Sequence, residues 1–380
     1  MQELHVNARA VRLTAALLLT TGILLAWASP AGAMPLWARR YGITCSTCHA
    51  FPSLQLTATG LDFLRRGHRF TGDTFDKDIT HLLSGHGEWS YDHRQGVPTP
   101  FENPEFHLHA GGALSPLFSA YVDANVNNDF ESAYLQYTKA HDDSSYFTAR
   151  LGKLSPTIVR NYGNGLLASS STPLIVTDAV LGNNPFTPAR GSAGVDVGGR
   201  WHSFFLQGGV VNGESQAGVA EVNNHKDVYA TAEYALPDGV SGLGLYYHRG
   251  TYDLLVEDGE PLRPDTYDRS GLFANFTRDK VRVAGAYLTG TDRIAGLEDA
   301  KLRGFFVEAD LHAAEDWVPF ARYDETRLAN EARTRKATVG CAVRIFETEA
   351  TAGRLVLELS RQEQAADKTN GALLNVIWAF

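Results

Sequence analysis

Cys45, Cys48 and His49, in the run Thr44-Cys45-Ser46-Thr47-Cys48-His49, are the side chains whose types and spacing point most directly to chemistry. Two thiols separated by two residues, with an imidazole immediately after, form the pattern for covalent attachment of a c-type haem. Each sulfur adds across a vinyl group, and the histidine is carried beneath the iron as proximal ligand. One covalent haem is therefore expected, with Cys45 and Cys48 as thioethers and His49 on the iron. The far side of the iron is open. His68 is the first candidate for the distal ligand because it follows the motif closely, and Met34 is the second. His81, His86, His107 and His109 are further histidines that could reach a haem. Methionine ligation would raise the potential and histidine would lower it.

The front of the chain reads as an export signal. Arg9 and Arg12 precede an apolar run from Leu13 to Trp27, and Ala31-Gly32-Ala33 offers a small-residue cleavage site. Residues 1–33 are thus expected to be removed, which suits a haem attached after export. The formal net charge of −9 argues against nucleic acid as a partner. No later stretch approaches the ~20 apolar residues of a spanning helix. If the remaining chain crosses a membrane, it must do so as a closed β-barrel. Cys341, in Val339-Gly340-Cys341-Ala342-Val343, reads as a small wall residue of a strand.

Residues 34–81 form a distinct first part. Ser53 is expected to cap a helix with Leu54, Leu56, Leu61, Phe63 and Leu64 as its apolar positions, stopped by Gly67. So short a segment is marginal as a core of its own, so the rest of the chain is expected to supply walls. That rest, residues 82–380, is a series of about sixteen strand-like stretches, many alternating apolar and polar residues. Tight turns such as Leu114-Ser115-Pro116, Pro237-Asp238-Gly239 and Arg278-Asp279 alternate with longer polar connections near 92–105, 154–192, 213–225, 250–268, 290–301, 325–334 and 362–369. Short periplasmic turns alternating with longer outer loops are characteristic of outer-membrane barrels. The chain closes on Leu374-Asn375-Val376-Ile377-Trp378-Ala379-Phe380, an amphipathic strand with a terminal aromatic, similar to the C-terminal strand of bacterial outer-membrane proteins. The expected fold is all-β: a transmembrane antiparallel barrel of about 16 strands with a small N-terminal α/coil segment carrying the haem.

The run from Ala33 to His49, followed by Pro52, Leu54, Gly60, Phe63 and Gly67, resembles the fused monohaem cytochrome–porin family of iron-oxidising bacteria. That family often has tyrosine where this chain has His68. The resemblance implies an outer-membrane electron conduit, with a single haem inside or capping the barrel and Fe(II) oxidase activity of the cytochrome c type. Electrons would arrive from extracellular Fe(II) and leave to a periplasmic cytochrome or cupredoxin. Outer-membrane lipid and the barrel-assembly machinery would be the other partners. On this view the acidic residues Asp253, Glu257, Asp258 and Glu260, with Asp265 and Asp268, could concentrate Fe(II) at the outer side. Arg39, Arg40, Arg65, Arg66 and Arg69 could pair with haem propionates or lumen carboxylates. The long connection 154–192, with Ser169-Ser170-Ser171, could fold into the lumen. The rival functions are a solute channel whose haem segment gates or senses, and a conduit for another donor or for outward electron flow.

Overall fold

The structure is a computed structural model that describes residues 36–78, 81–96, 104–126, 130–154, 167–177, 186, 188, 191–213, 224–254, 263–294, 296–328, 332–348, 351–365 and 367–380. The expected signal segment 1–33 and Met34 lie outside them. Sixteen strands close one antiparallel barrel: β1 (Leu83–Arg94), β2 (Glu105–Ala113), β3 (Phe118–Asn125), β4 (Phe130–Ala140), β5 (Ser145–Leu154), β6 (Ser192–Trp201), β7 (Phe204–Val211), β8 (Asp227–Ala235), β9 (Gly242–Leu254), β10 (Arg263–Arg278), β11 (Val281–Ile294), β12 (Ala300–Leu311), β13 (Trp317–Leu328), β14 (Thr334–Glu347), β15 (Ala352–Gln364) and β16 (Asp367–Ala379). Each strand pairs with its sequence neighbours, and β16 returns to β1 with His86 opposite Ala379 and Arg94 opposite Gly371. Phe380 completes the seam, its N–H and carbonyl both bonded to Gly85 at 3.0 Å. Full closure leaves no edge strand to be satisfied in lipid.

The wall is inverted relative to a water-soluble protein. Along β11, Arg282, Ala284 and Asp292 are buried, whereas Val281, Val283 and Tyr287 between them are exposed. The alternation places apolar side chains outside and polar ones in the lumen, which is the pattern of a barrel in lipid. Phe147, Trp201, Phe204, Tyr234, Trp317 and Phe346 stand exposed near the tight-turn end, as an interfacial aromatic girdle would.

Two departures from the sequence reading concern the outer ends. The stretches expected as loops at 250–268, 325–334 and 362–369 are entered from both sides by strand, since β9, β10, β13, β14, β15 and β16 run on through polar residues at 250–254, 263–268, 325–328, 334, 362–364 and 367–369. Backbone pairing does not need an apolar face once a strand rises above the lipid. There, cross-strand charges replace it: Glu363 is opposite Lys368, with 3.6 Å between their charged atoms. The last outer connection is accordingly short, with Gln364 opposite Asp367 and Ala365 at φ 53°.

The N-terminal segment holds helices α1 (Leu36–Tyr41), α2 (Cys45–Cys48) and α3 (Ala58–Arg65). The helix expected from Ser53 starts later. Residues 54–56 are instead drawn into an extended return, with Ala50 N–H bonded to Gln55 O and Leu56 bridged to His49, while Ser53 Oγ accepts from Gln55 N–H at 3.1 Å. Thr57 is the true cap, accepting from Gly60 N–H at 3.1 Å. The expected stop at Gly67 holds, with Gly67 at φ 79°. Bonds from Gly67 N–H to Leu64 O and from His68 N–H to Phe63 O close the helix end. The segment touches Tyr121 on β3, Gln136 on β4, Arg200 on β6, Glu233 on β8, Asp310 on β12 and Arg354 on β15. A segment that meets inward-facing groups all around a closed ring lies within that ring.

A second insert enters the lumen from the long connection between β5 and β6, whose longest described part, 167–177, contains α4 (Leu174–Thr177). Ala168 N–H donates to Glu308, Ser170 and Ser171 N–H to Glu358, and Leu174 N–H to Asp324. The expected infolding of 154–192 is thus seen in this part.

Candidate functional site

Cys45 and Cys48 sit on the single turn of α2, near the barrel end that carries the tight turns and the C-terminus. Ser46 N–H there donates to Glu347, the last residue of β14, at 3.0 Å. The chain then doubles back: Ala50 N–H bonds Gln55 O, and Thr57 N–H bonds Cys48 O. Thr57 Oγ1 also donates to Thr47 O at 2.7 Å, tying the start of α3 to the motif. Gly60 makes the close packing possible, because a Cβ there would lie 2.1 Å from Cys48 O.

This return loop fixes His49. Its Nδ1 is 2.9 Å from Leu54 O, so Nδ1 carries the proton and donates, and among the described residues no other hydrogen bond is made by the ring. Nε2 is left as the free lone pair. A backbone carbonyl orienting the opposite nitrogen is how ligating histidines are usually held. Burial lowers the proton affinity of His49, which favours the neutral form that can bind a metal. Burial first, and the Glu347 carboxylate second, push the Cys45 thiol up to about 11; burial does the same for Cys48. Two half-buried thiols on one turn beside an imidazole with its outer nitrogen free fit covalent haem attachment.

The other expected site residues scatter. His68 is buried at φ 59°, its ring 4.4 Å from Trp37 in parallel stacking and 4.1 Å from Tyr121, with Tyr134 Oη 3.3 Å from Nδ1. Burial lowers its pKa to about 3. No hydrogen bond or ring contact links it to Cys45, Cys48 or His49; it is packed in an aromatic box. His81 pairs with Asp76 at 2.7 Å. Of the acidic outer group, Asp253 lies on β9, Asp265 is buried on β10, and Asp268 pairs with Arg293 at 2.5 Å. Glu257, Asp258 and Glu260 lie outside the described residues.

The arginines divide by partner. Arg65 meets the lumen carboxylate of Glu233 at 2.5 Å and stacks 4.1 Å from the Phe205 ring centre. Arg66 donates to Asp62 and to Asp143 O, and Arg69 to Ser115 O and Thr138 O. Arg40 pairs with Asp73 inside the segment at 2.8 Å.

Two features escaped the sequence. One is the charge lattice of the lumen: Arg150 with Asp196, Arg269 with Asp292, and Arg322 with Asp324 and Glu308. The other is that His86, His107 and His109, each expected only singly as able to reach a haem, converge on one another. Both histidines of His107-Leu108-His109 stand one strand away from His86, a period-two signal that was available in the sequence.

No family model matches the sequence, and no curated protein is similar to it. Solved structures do match. The outer-membrane protein OmpT of Vibrio cholerae superposes with a TM-score of 0.56 at 9% identity, covering 79% of this chain and 97% of that one. An anion-selective porin from Comamonas acidovorans gives 0.55 at 12% identity, covering 79% and 98%. The outer-membrane channel DcaP of Acinetobacter baumannii gives 0.52 at 9% identity, covering 78% and 96%. These likenesses, with the closed sixteen-strand ring, define the class: a porin-type β-barrel. In this chain the lumen holds the N-terminal segment.

Proposed function

We propose that the protein is an outer-membrane electron conduit that takes electrons from extracellular Fe(II) and delivers them to a periplasmic electron carrier. The observation that carries this reading is His49, oriented through Nδ1 by Leu54 O beside two thiols, in a segment seated within a closed barrel. Bound to Cys45, Cys48 and His49, a c-type haem would supply a one-electron redox centre. The chain's own part is structural. Thr57 and Gly60 hold the attachment turn, Arg65 and Gln55 pin the segment to the wall, and the 167–177 insert narrows the outer lumen. Glu308, Asp310, Arg322, Asp324 and Arg354 are almost wholly buried, although they face a lumen that is wet in an open porin. That filling favours a conduit over a solute pore. Donor oxidation here is outer-sphere: Fe(II) loses one electron outside, and no bond in the protein is made or broken.

The test is anaerobic stopped-flow mixing of the purified, haem-loaded protein with Fe(II) near neutral pH, alongside conductance in planar bilayers. The expected result is reduction of the haem absorbance with no open-pore conductance. Absence of reduction removes Fe(II) as donor, and a large steady conductance favours the channel reading.

A further inference from the structure

We propose that His107, Asp123 and Glu131 form a binding site for a divalent transition-metal cation at the outer rim of the lumen, distinct from the haem-attachment turn. One donor atom from each lies within 4.8 Å of the others. His107 Nδ1 is 3.1 Å from Asp123 Oδ1, and its Nε2 is 4.0 Å from Glu131 Oε1 and 3.7 Å from Glu105 Oε2. The three residues come from adjacent strands near their outer ends: His107 is the third residue of β2, Asp123 the third from the end of β3, and Glu131 the second of β4. The register explains the third donor. Asp123 is opposite Ser132 and Ala124 opposite Phe130, so Glu131 is the extra residue of a bulge. Bulges re-aim side chains, and this one turns a carboxylate towards the imidazole.

The donor set selects the ligand. One imidazole with two or three carboxylates suits a borderline-hard divalent ion such as Fe(II), Mn(II) or Co(II), which binds nitrogen and oxygen at ~2.0–2.2 Å. Donors around such an ion stand ~3–3.4 Å apart at those bond lengths, so closure by about an ångström is needed. The Glu131 side chain, 56% exposed, is free to supply it. His109 and His86 form the surround: His109 Nδ1 is 3.6 Å from Asp123 Oδ1, and His86 Nδ1 lies 2.7 Å from His109 Nε2. Such partners commonly orient ligating carboxylates.

The site also has a physical link to the insert. His109 Nδ1 is 3.0 Å from Tyr121 Oη, the Tyr121 ring is 4.1 Å from His68, and His68 stacks on Trp37. On the function proposed above, on which this clause alone rests, the cation is the Fe(II) donor and these rings connect it to the redox segment.

Mn(II), which does not reduce haem, tests the site without the activity. The full-length protein in detergent is titrated with Mn(II), and loss of the free-ion electron paramagnetic resonance signal is read. One ion per chain is expected, with at least tenfold weaker binding in His107→Gln and in Glu131→Gln. The half-exposed Glu131 serves as the variant that cannot be dismissed as misfolded, and Asp253→Asn is the control expected to bind as the parent does. Binding unchanged in both variants overturns the site. Failure of Fe(II) to reduce the haem, measured separately, would overturn the proposed function and leave the Mn(II) result readable.

Discussion

Neutralising Arg65 should release the N-terminal segment from the barrel. Its side chain is 3% exposed and that of Glu233 1%, with 2.5 Å between their charged atoms. Removing one member of a buried pair leaves the other charge dehydrated and uncompensated, which costs about 3–5 kcal/mol. At 1.4 kcal/mol per factor of ten, the population of the released segment should rise roughly 100- to 3,000-fold in Arg65→Met or Glu233→Gln. Replacing both should cost far less than the sum of the singles, because neither charge then remains buried alone. Limited proteolysis under native conditions reads this directly: cleavage within 36–78 tracks the released population when reseating is fast. The barrel should stay intact throughout, as its heat-dependent gel mobility would report. Single variants cleaved less than tenfold faster than the parent, or a double variant showing the full sum, would refute the claim that this pair pins the segment.

Other expectations follow from the same geometry. Gly60→Ala should lower haem loading, since its Cβ would collide with Cys48 O at 2.1 Å, overpacking that costs about 1–3 kcal/mol; haem-to-protein ratios after expression check this. Arg322→Ala should free the 167–177 insert by removing bonds to Ser169 Oγ, Ser171 O and Ser171 Oγ, and should raise bilayer conductance; unchanged conductance would contradict a constricting role. Acid should loosen the segment through His68. Its native pKa is lowered to about 3 while the unseated value is ~6.5, so the released form binds the extra proton between those limits. The stabilisation is complete above pH ~6.5 and falls by ~1.4 kcal/mol per unit of acidification below it. His68→Phe should flatten a plot of segment-release midpoint against pH from 7 to 5, and an unaltered slope would assign the effect elsewhere.

The strands were legible because lipid and lumen impose period two over the whole wall, and each of the sixteen expected stretches overlaps an observed strand. Their outer ends were not, because polar residues such as Thr251, Asp253 and Asp268 look like loop when only the lipid-facing portion must be apolar. Cys45-Ser46-Thr47-Cys48-His49 is a local chemical pattern visible in the sequence, and the structure places it on one helical turn and the residue after it. The partner that orients His49, Leu54 O, was not visible there, since a backbone carbonyl leaves no mark in the side-chain sequence. Likewise Arg65 announces a charge but not Glu233, 168 positions away, as its match. Inward direction can be read from alternation, whereas pairing across a lumen depends on register and tilt.

The ties that hold the N-terminal segment also set an order of assembly. Gln55 reaches Asp310 and Arg354 reaches Pro52 O, contacts 255 and 302 residues apart in the chain. The seam is equally remote, with His86 beside Ala379. Until β8, β12 and β15 exist, the N-terminal segment therefore lacks the Glu233, Asp310 and Arg354 contacts that tie it to the wall. On the proposed function, that interval is when Cys45 and Cys48 stand most open to haem attachment. Once Phe380 bonds Gly85 the ring is closed around the segment, so the proposed function calls for the haem to be in place before closure.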